Sequence, residues 1–202
     1  MENYLFKILL GGCVGRQRTE IMKQFTTGRF HPDTSFIIGV DFAVHFLDLP
    51  EKEGAVTLQI WDFGEEKRFR TLVSCFCQGA AGAMLFFDLH DQDTLYDLEE
   101  WIHLIRKYTH NIPIILCGVN CKETTKSEQQ SNLDELDRIN EEDIHDFLNK
   151  HHFRGYYDIH MESGRNITES FEYLSALMVQ QWPSSVLNQS TRIETLLPNQ
   201  IR

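Results

Sequence analysis

Short apolar runs alternate along this chain with stretches whose apolar residues recur every three to four positions, and that alternation narrows the possible folds more than any other feature. Tyr4 to Leu10 is an apolar run that stops at Gly11-Gly12, the pattern of a buried strand entering a turn. Ile21, Met22 and Phe25 then lie on one face of a helix, with Gly28 as its stop. Asp41 to Leu49 alternates, with Phe42, Val44, Phe46 and either Leu47 or Leu49 marking the expected apolar face of a half-buried strand. Val56 to Trp61 repeats the alternation after Glu53-Gly54, so the two strands are expected to form a hairpin. Phe69, Leu72, Val73 and Phe76 fit a helix, Ala83 to Phe87 a strand buried on both faces, and Leu95, Leu98, Ile102 and Ile105 one further helical stripe. Ile112 to Cys117 reads as a strand. Asn140 reads as the cap of a helix carrying Ile144, Phe147 and Leu148, Tyr156 to Ile159 as a last strand, and Ile167, Phe171, Leu174 and Met178 as a last helix ending near Pro183.

Strands that alternate with helices imply an α/β fold with a mostly parallel six-stranded sheet, helices on both faces and one antiparallel edge strand from the hairpin. Ligands of such folds sit beyond the carboxyl ends of the strands. The 202 residues suffice for one domain with a tail, expected as residues 1–182 and 183–202. Lys122 to Ile139 has no period and is expected to be a long loop; the region Lys122 to Lys150 holds nine acids against four bases.

A net charge of −11 excludes a general nucleic-acid binder, which needs a basic footprint. No apolar stretch is long enough for a transmembrane helix. Five cysteines, an odd count, with spacings that match no zinc motif, point to free thiols in a reducing, cytoplasmic compartment. No cysteine follows Cys121 and residue 2 is Glu, so neither prenylation nor N-myristoylation is expected, and no lipid anchor with them.

The residues resemble a known family. Lys7-Ile8-Leu9-Leu10 with Gly12 to Thr19 is similar to the first strand and phosphate loop of Ras-like small GTPases. Ile38-Gly39-Val40-Asp41-Phe42 resembles the end of switch I in its Rab-like form. Ile60-Trp61-Asp62 resembles the start of switch II, and Arg68-Phe69-Arg70 its continuation. Pro113 to Gly118 resembles the strand before the guanine-reading motif, and Gly164-Arg165-Asn166-Ile167 with Phe171 to Leu174 the start of the last helix. The likeness runs from about Phe6 to Trp182, and the Trp-Asp-Phe-Gly wording of switch II is especially like archaeal Rab-type proteins. It implies a three-layer P-loop G-domain that binds GTP or GDP with Mg²⁺.

The ligand-touching residues depart from the family pattern. The resemblance places Gly12, Val14, Gly15, Gln17, Arg18 and Thr19 at the phosphates, Thr19 and Asp62 at Mg²⁺, Glu66 where a glutamine orients the attacking water, and Asn120, Lys122 and Met161 at the base. Gln17 replaces a glycine and crowds a loop whose amides must approach phosphate. Arg18 replaces a lysine and is a wide fork rather than a compact charge. Ile37 replaces a threonine that ligates Mg²⁺. Glu65 replaces the glycine that meets the third phosphate, although Gly64 lies one place earlier, and Glu66 adds charge against it. In register Lys122 replaces the aspartate that accepts two hydrogen bonds from guanine, and lysine only donates, whereas a one-residue slip would put Asn120 and Glu123 in the outer positions and supply an acidic reader.

These changes lead to an expected pseudo-GTPase: an interaction module, monomeric or weakly self-associating, that meets protein effectors or regulators at its switch surface, where Ile37, Phe63, Phe69 and Phe76 supply apolar groups. The alternative is a GTP/GDP switch with atypical motifs and slow hydrolysis, kept open by Gly12, Arg18, Thr19 and Asp62. An enzyme of another class ranks last, because no triad, metal cluster or paired carboxylates with a nucleophile accompany the pattern.

Overall fold

The structure is a computed structural model that describes residues 2–30, 39–49, 54–64, 74–121 and 138–182. In chain order its elements are β1 (Glu2–Gly12), α1 (Gly15–Thr27), β2 (Val40–Leu49), β3 (Gly54–Phe63), β4 (Ala80–Asp88), α2 (Gln92–Tyr96), α3 (Leu98–Tyr108), β5 (Ile114–Val119), α4 (Glu141–His151), β6 (Tyr156–Ile159) and α5 (Ile167–Gln181). The six strands form one sheet in the order β2-β3-β1-β4-β5-β6. Only the β2–β3 pair is antiparallel, with Val40 opposite Phe63 and Leu49 opposite Gly54. The expected mostly parallel sheet with an antiparallel edge is therefore what the chain forms.

Alternation along the central strands divides the core into two layers. Phe6, Ile8 and Leu10 of β1 turn toward α1 and α5, joined there by Leu58, Ile60, Phe86, Ile115 and Phe171. Leu9 turns the other way and meets Trp101, Phe87, Leu116, Leu95 and Ile105 beneath α2, α3 and α4. Parallel strands covered on both faces must be apolar at nearly every position, and β4 and β5 are. The stripe Leu95–Leu98–Ile102–Ile105 is wholly buried, but Asp97 divides it into α2 and α3 rather than one helix. Asn140 caps α4 as expected, its side chain accepting from the Glu142 N–H at 3.1 Å, with Glu141, Glu142 and Asp143 in the positive first turn. The expected helix through Phe69 falls mostly outside the described residues, of which Ser74 to Phe76 are helical. The expected long loop and the tail also lie outside them, apart from Arg138 and Ile139.

The face assigned to β2 is reversed. Phe42, Val44 and Phe46 are exposed, and of the expected residues Leu47, which lies on the other face from those three, is buried. Period two fixes which residues share a face but not which face meets the core. At this edge α1 lies on the side of Ala43, His45 and Leu47, where the His45 ring tilts against Phe25 at 4.3 Å.

All five cysteines are free. Cys75 is exposed, whereas burial pushes the Cys77 thiol up to about 11 and raises Cys117 further still. Thiolate is the reacting species, so in a native titration with Ellman's reagent near pH 8 Cys75 is expected to react promptly and Cys77 and Cys117 only after denaturant is added. Labelling mapped by mass spectrometry checks the order; fast native modification of Cys117 would contradict the packing of β5.

Candidate functional site

β1 delivers the chain to the site through Gly12. Its φ is +119°, and a Cβ there would stand 2.1 Å from the Phe86 carbonyl oxygen of β4, so only glycine fits. The Cys13 N–H donates to the same carbonyl at 3.2 Å and pins the turn to β4. Val14, buried, is the N-cap of α1 without a side-chain cap. Gly15 is buried in the first turn and Gln17 is half-buried. Arg18 and Thr19 then sit one turn into the helix, on its inward side, and both are buried.

Arg18 occupies the centre of the site and is fully enclosed. Its guanidinium donates from Nε to Asp62 Oδ1, from Nη2 to the Phe63 carbonyl, and from Nη1 to the Gly12 carbonyl at 2.9 Å. The fork of donors therefore ties the loop after β1 to the end of β3, a geometry that a lysine point charge could not reproduce. The Thr19 hydroxyl lies 2.6 Å from Asp62 Oδ2 and 2.9 Å from the Gly15 carbonyl, and its one proton serves one acceptor at a time. Burial pushes the Asp62 carboxyl above its ordinary value. The Arg18 guanidinium and the Thr19 hydroxyl pull it back down, and Asp41, opposite it on β2, adds slightly to the rise. Gly64 is buried, and its N–H donates to the Gly39 carbonyl at 2.7 Å.

These contacts decide how the residues fit a magnesium–phosphate group. Such a group needs the Thr19 hydroxyl and a carboxylate oxygen turned toward the metal, and a cation and amides turned toward phosphate. Here Arg18 and Thr19 take one Asp62 oxygen each, three of the five Arg18 N–H donors go to protein oxygens, the guanidinium is enclosed, and the Gly64 amide donates to Gly39. The arrangement does not fit the metal and its phosphates.

Toward the base position, β5 and β6 run side by side with Val119 opposite Ile159. Asn120 and Met161 follow those strand ends and so come to the same edge, Asn120 exposed and Met161 half-buried against the α1–α5 layer of the core. Cys121 packs on that layer too, its Sγ 3.8 Å from the Val119 carbonyl. Glu66 and Lys122, like Ile37, Glu65 and Phe69, lie outside the described residues.

The sequence reading named Arg18, Thr19 and Asp62 one by one as ligand contacts and missed that they bind each other. No local signal gives this, because the two charges lie 44 residues apart and the β1–β3 pairing brings them together. It also missed an aromatic group beside the site: the Trp61 ring meets Phe42 edge-on at 5.1 Å and Phe76 at 5.1 Å, with the Lys7 ammonium 4.7 Å from its centroid. Phe76 belongs to this group, whereas Phe63, also expected on the switch surface, is buried against Trp101 in the core. The physical reason is position: Phe63 and Trp61 are two apart on β3 and share a face, but Phe63 lies at the strand end roofed by α3.

Comparison with known proteins agrees with this architecture. The model of the Ras family matches residues 7–180. The chain is similar to Ras-related protein RABA1c of Arabidopsis thaliana, 31% identical over 149 residues that cover 73% of this chain and 63% of the plant protein. It is similar to human Rab-19, 36% identical over 59% of this chain and 54% of the human protein, and to Rab-27A of Rattus norvegicus, 27% identical over 89% and 80%. The match thus spans less than two thirds of the plant protein's length. Among the described residues no helix is long and apolar enough to cross a membrane. With a six-stranded sheet of this order, a glycine turn leading into α1, and a family match over most of its length, the chain belongs to the Ras family of small GTPases and is Rab-like in sequence.

Proposed function

We infer that this Rab-like chain works as a protein-docking module, a pseudo-GTPase whose nucleotide site is held closed from within and whose GTP hydrolysis is impaired or absent. The observation that carries this reading is the enclosed Arg18 guanidinium on Asp62, Gly12 and Phe63. Opening the site for Mg·GTP would require breaking a buried ion pair and its carbonyl contacts before any ligand contact is gained. The partner is a protein that covers the Phe42–Trp61–Phe76 group, since aromatic side chains of this kind dominate protein interfaces. Residues 1–182 are the G-domain in this reading and residues 183–202 an appended tail.

The test is direct. Purified protein is denatured and the supernatant chromatographed for guanine nucleotide, and the native protein is melted with and without millimolar Mg·GTP or Mg·GDP. The expected result is no copurified nucleotide and a melting temperature unchanged within about 1 °C, because a ligand that binds only the folded state at a hundred times its dissociation constant adds roughly 2.7 kcal/mol. Stoichiometric nucleotide, or a shift of several degrees, would overturn the reading.

A second reading, an atypical GTP/GDP switch with slow turnover, is favoured by the 2.6 Å approach of Thr19 to Asp62, which keeps both expected Mg²⁺ ligands at one point. It requires Arg18 to swing out. In that case Mg·GDP, lacking the third phosphate that would meet Glu65 and Glu66, is expected to raise the melting temperature more than Mg·GTP.

A further inference from the structure

β2 is the edge of the sheet, and its only strand partner among the described residues is β3. Alternate residues of Val40–Leu49 thus turn main-chain N–H and C=O groups to the outer side, where the Phe42 N–H also donates to the Asp41 carboxylate at 2.8 Å. Natural edge strands are usually blunted by lysine, proline or a bulge. β2 has none: its sequence is Val-Asp-Phe-Ala-Val-His-Phe-Leu-Asp-Leu and its register with β3 is unbroken from Val40 to Leu49. Its outward face is apolar, with Phe42 48%, Val44 44% and Phe46 73% exposed. Beyond Phe46 the same row continues through Thr57 to Leu5, itself 60% exposed. Phe42 belongs both to this band and to the aromatic group beside the site, but Val44, Phe46 and Leu5 lie past that group, so a partner covering Phe42, Trp61 and Phe76 does not account for them.

The strand is complementary to itself. In an antiparallel pair related by a two-fold axis, directly opposed residues must share a face. With the axis at Val44, Phe42 opposes Phe46 of the second copy, Val44 opposes Val44, and Ala43 opposes His45. The two acids avoid each other: Asp41 opposes Leu47 and Asp48 opposes Val40. With the axis one residue on, at His45, the imidazoles would face each other and Asp48 would oppose Phe42. The first register places aromatic against aromatic twice and no like charges together, which is what stabilises cross-strand pairs.

We propose that β2 pairs antiparallel with β2 of a second copy of this chain about Val44, joining two sheets into one of twelve strands. This goes beyond the nucleotide reading and holds whether the Arg18 site is closed or open. A phenylalanine side chain presents ~200 Å², so Phe42 and Phe46 bring roughly 250 Å² per copy. Even with Val44 and the strand's main chain added, that stays below the ~800 Å² per partner of a standard stable interface. The association is therefore weak, with a dissociation constant on the order of 10–100 μM.

Sedimentation velocity of the full chain from about 1 to 500 μM checks it, and a monomer–dimer equilibrium in that range is expected. Val44→Lys and Val44→Glu each place two like charges in direct opposition and are expected to leave monomers at every concentration, with unchanged circular dichroism because the side chain points outward. Mixing the two variants is expected to restore a dimer, since lysine then faces glutamate. In a Cys75→Ser background, Val44→Cys is expected to form a disulfide-linked dimer on mild oxidation, because opposed Cα atoms of antiparallel strands lie about 4.5–5.5 Å apart. Phe46→Cys, which would face Phe42, is expected to give none. A wild-type monomer at 500 μM, single variants that dimerise like wild type, or a mixture that stays monomeric would each overturn the proposal. So would a Val44→Lys effect confined to binding a different protein.

Discussion

Replacing Arg18 by alanine is expected to cost about 3–5 kcal/mol of stability, the range for removing one partner of a buried ion pair. In a chain of this size each kilocalorie shifts the melting temperature by roughly 2–4 °C, so the midpoint should fall by about 6–20 °C. Most of that loss comes from what is left behind: an enclosed Asp62 carboxylate with only the Thr19 hydroxyl, and two carbonyls, of Gly12 and Phe63, without their donor. Arg18→Ala combined with Asp62→Ala should therefore lose less than the two single variants added together, with a coupling of about 1–3 kcal/mol measured by urea denaturation. A pH series separates this account from simple loss of packing. Burial already raises the Asp62 carboxyl, and Arg18 is the main influence opposing it. Without Arg18 the folded-state value rises further above the unfolded one, so the folded chain holds its proton more tightly. The variant's stability should then be greatest below about pH 4 on this account and fall as pH rises from there through the raised folded-state value, more steeply than in wild type. An Arg18→Ala protein that melts within 2 °C of wild type, with the same pH profile, would show that the ion pair does not hold the site together.

Gly12→Ala is the second large effect. The new methyl would need to occupy space 2.1 Å from the Phe86 carbonyl, which belongs to backbone in the middle of the sheet and cannot swing aside. The backbone at φ +119° is itself strained for any residue with a Cβ, worth about 1–3 kcal/mol. Overpacking adds about 1–3 kcal/mol more. A total near 3–5 kcal/mol would lower the urea midpoint sharply and reduce soluble yield. Gly28→Ala makes a useful control. Its φ is also positive, +70°, but nothing lies within 4 Å of a Cβ there, so only the conformational part of the cost should appear. Equal losses in the two variants would mean that the contact with Phe86 is unimportant and that the turn is looser than the Cys13 hydrogen bond implies.

The two variants probe different parts of the same design. Gly12 sets where the chain can pass between β1 and β4, and Arg18 sets what fills the space that this passage creates. The glycine is a requirement of the sheet and would be needed whether or not a nucleotide binds. The arginine belongs to the site, and its three-way contact explains how a loop with Gln17 in place of a glycine and no compact lysine can still pack closely against the end of β3.

Most of the architecture was legible in the residues alone. Period two along β3, continuous apolarity in β4 and β5, and the Asn140 cap with its acidic first turn are local signals, and each reports local chemistry that survives in the folded chain. So do the landmarks of the family, from Lys7 through Asp62 to the last helix. What the residues could not specify is anything set by contacts distant in sequence. Phe42, Val44 and Phe46 alternate as a buried face would, yet they face outward because the helix beside the edge strand packs on Ala43, His45 and Leu47 instead. Arg18, Thr19 and Asp62 carry donors and acceptors that suit a ligand equally well or suit each other. Forty-four residues separate Arg18 from Asp62, and only the parallel pairing of β1 with β3, which sets Leu10 opposite Asp62, brings them within reach. The sequence by itself therefore determined the fold class, since it follows from short-range periodicity and spacing. Tertiary structure alone decided that Arg18 pairs with Asp62 and that, among the described residues, β2 has no second strand partner, because burial and ion pairing depend on which surfaces the sheet brings together.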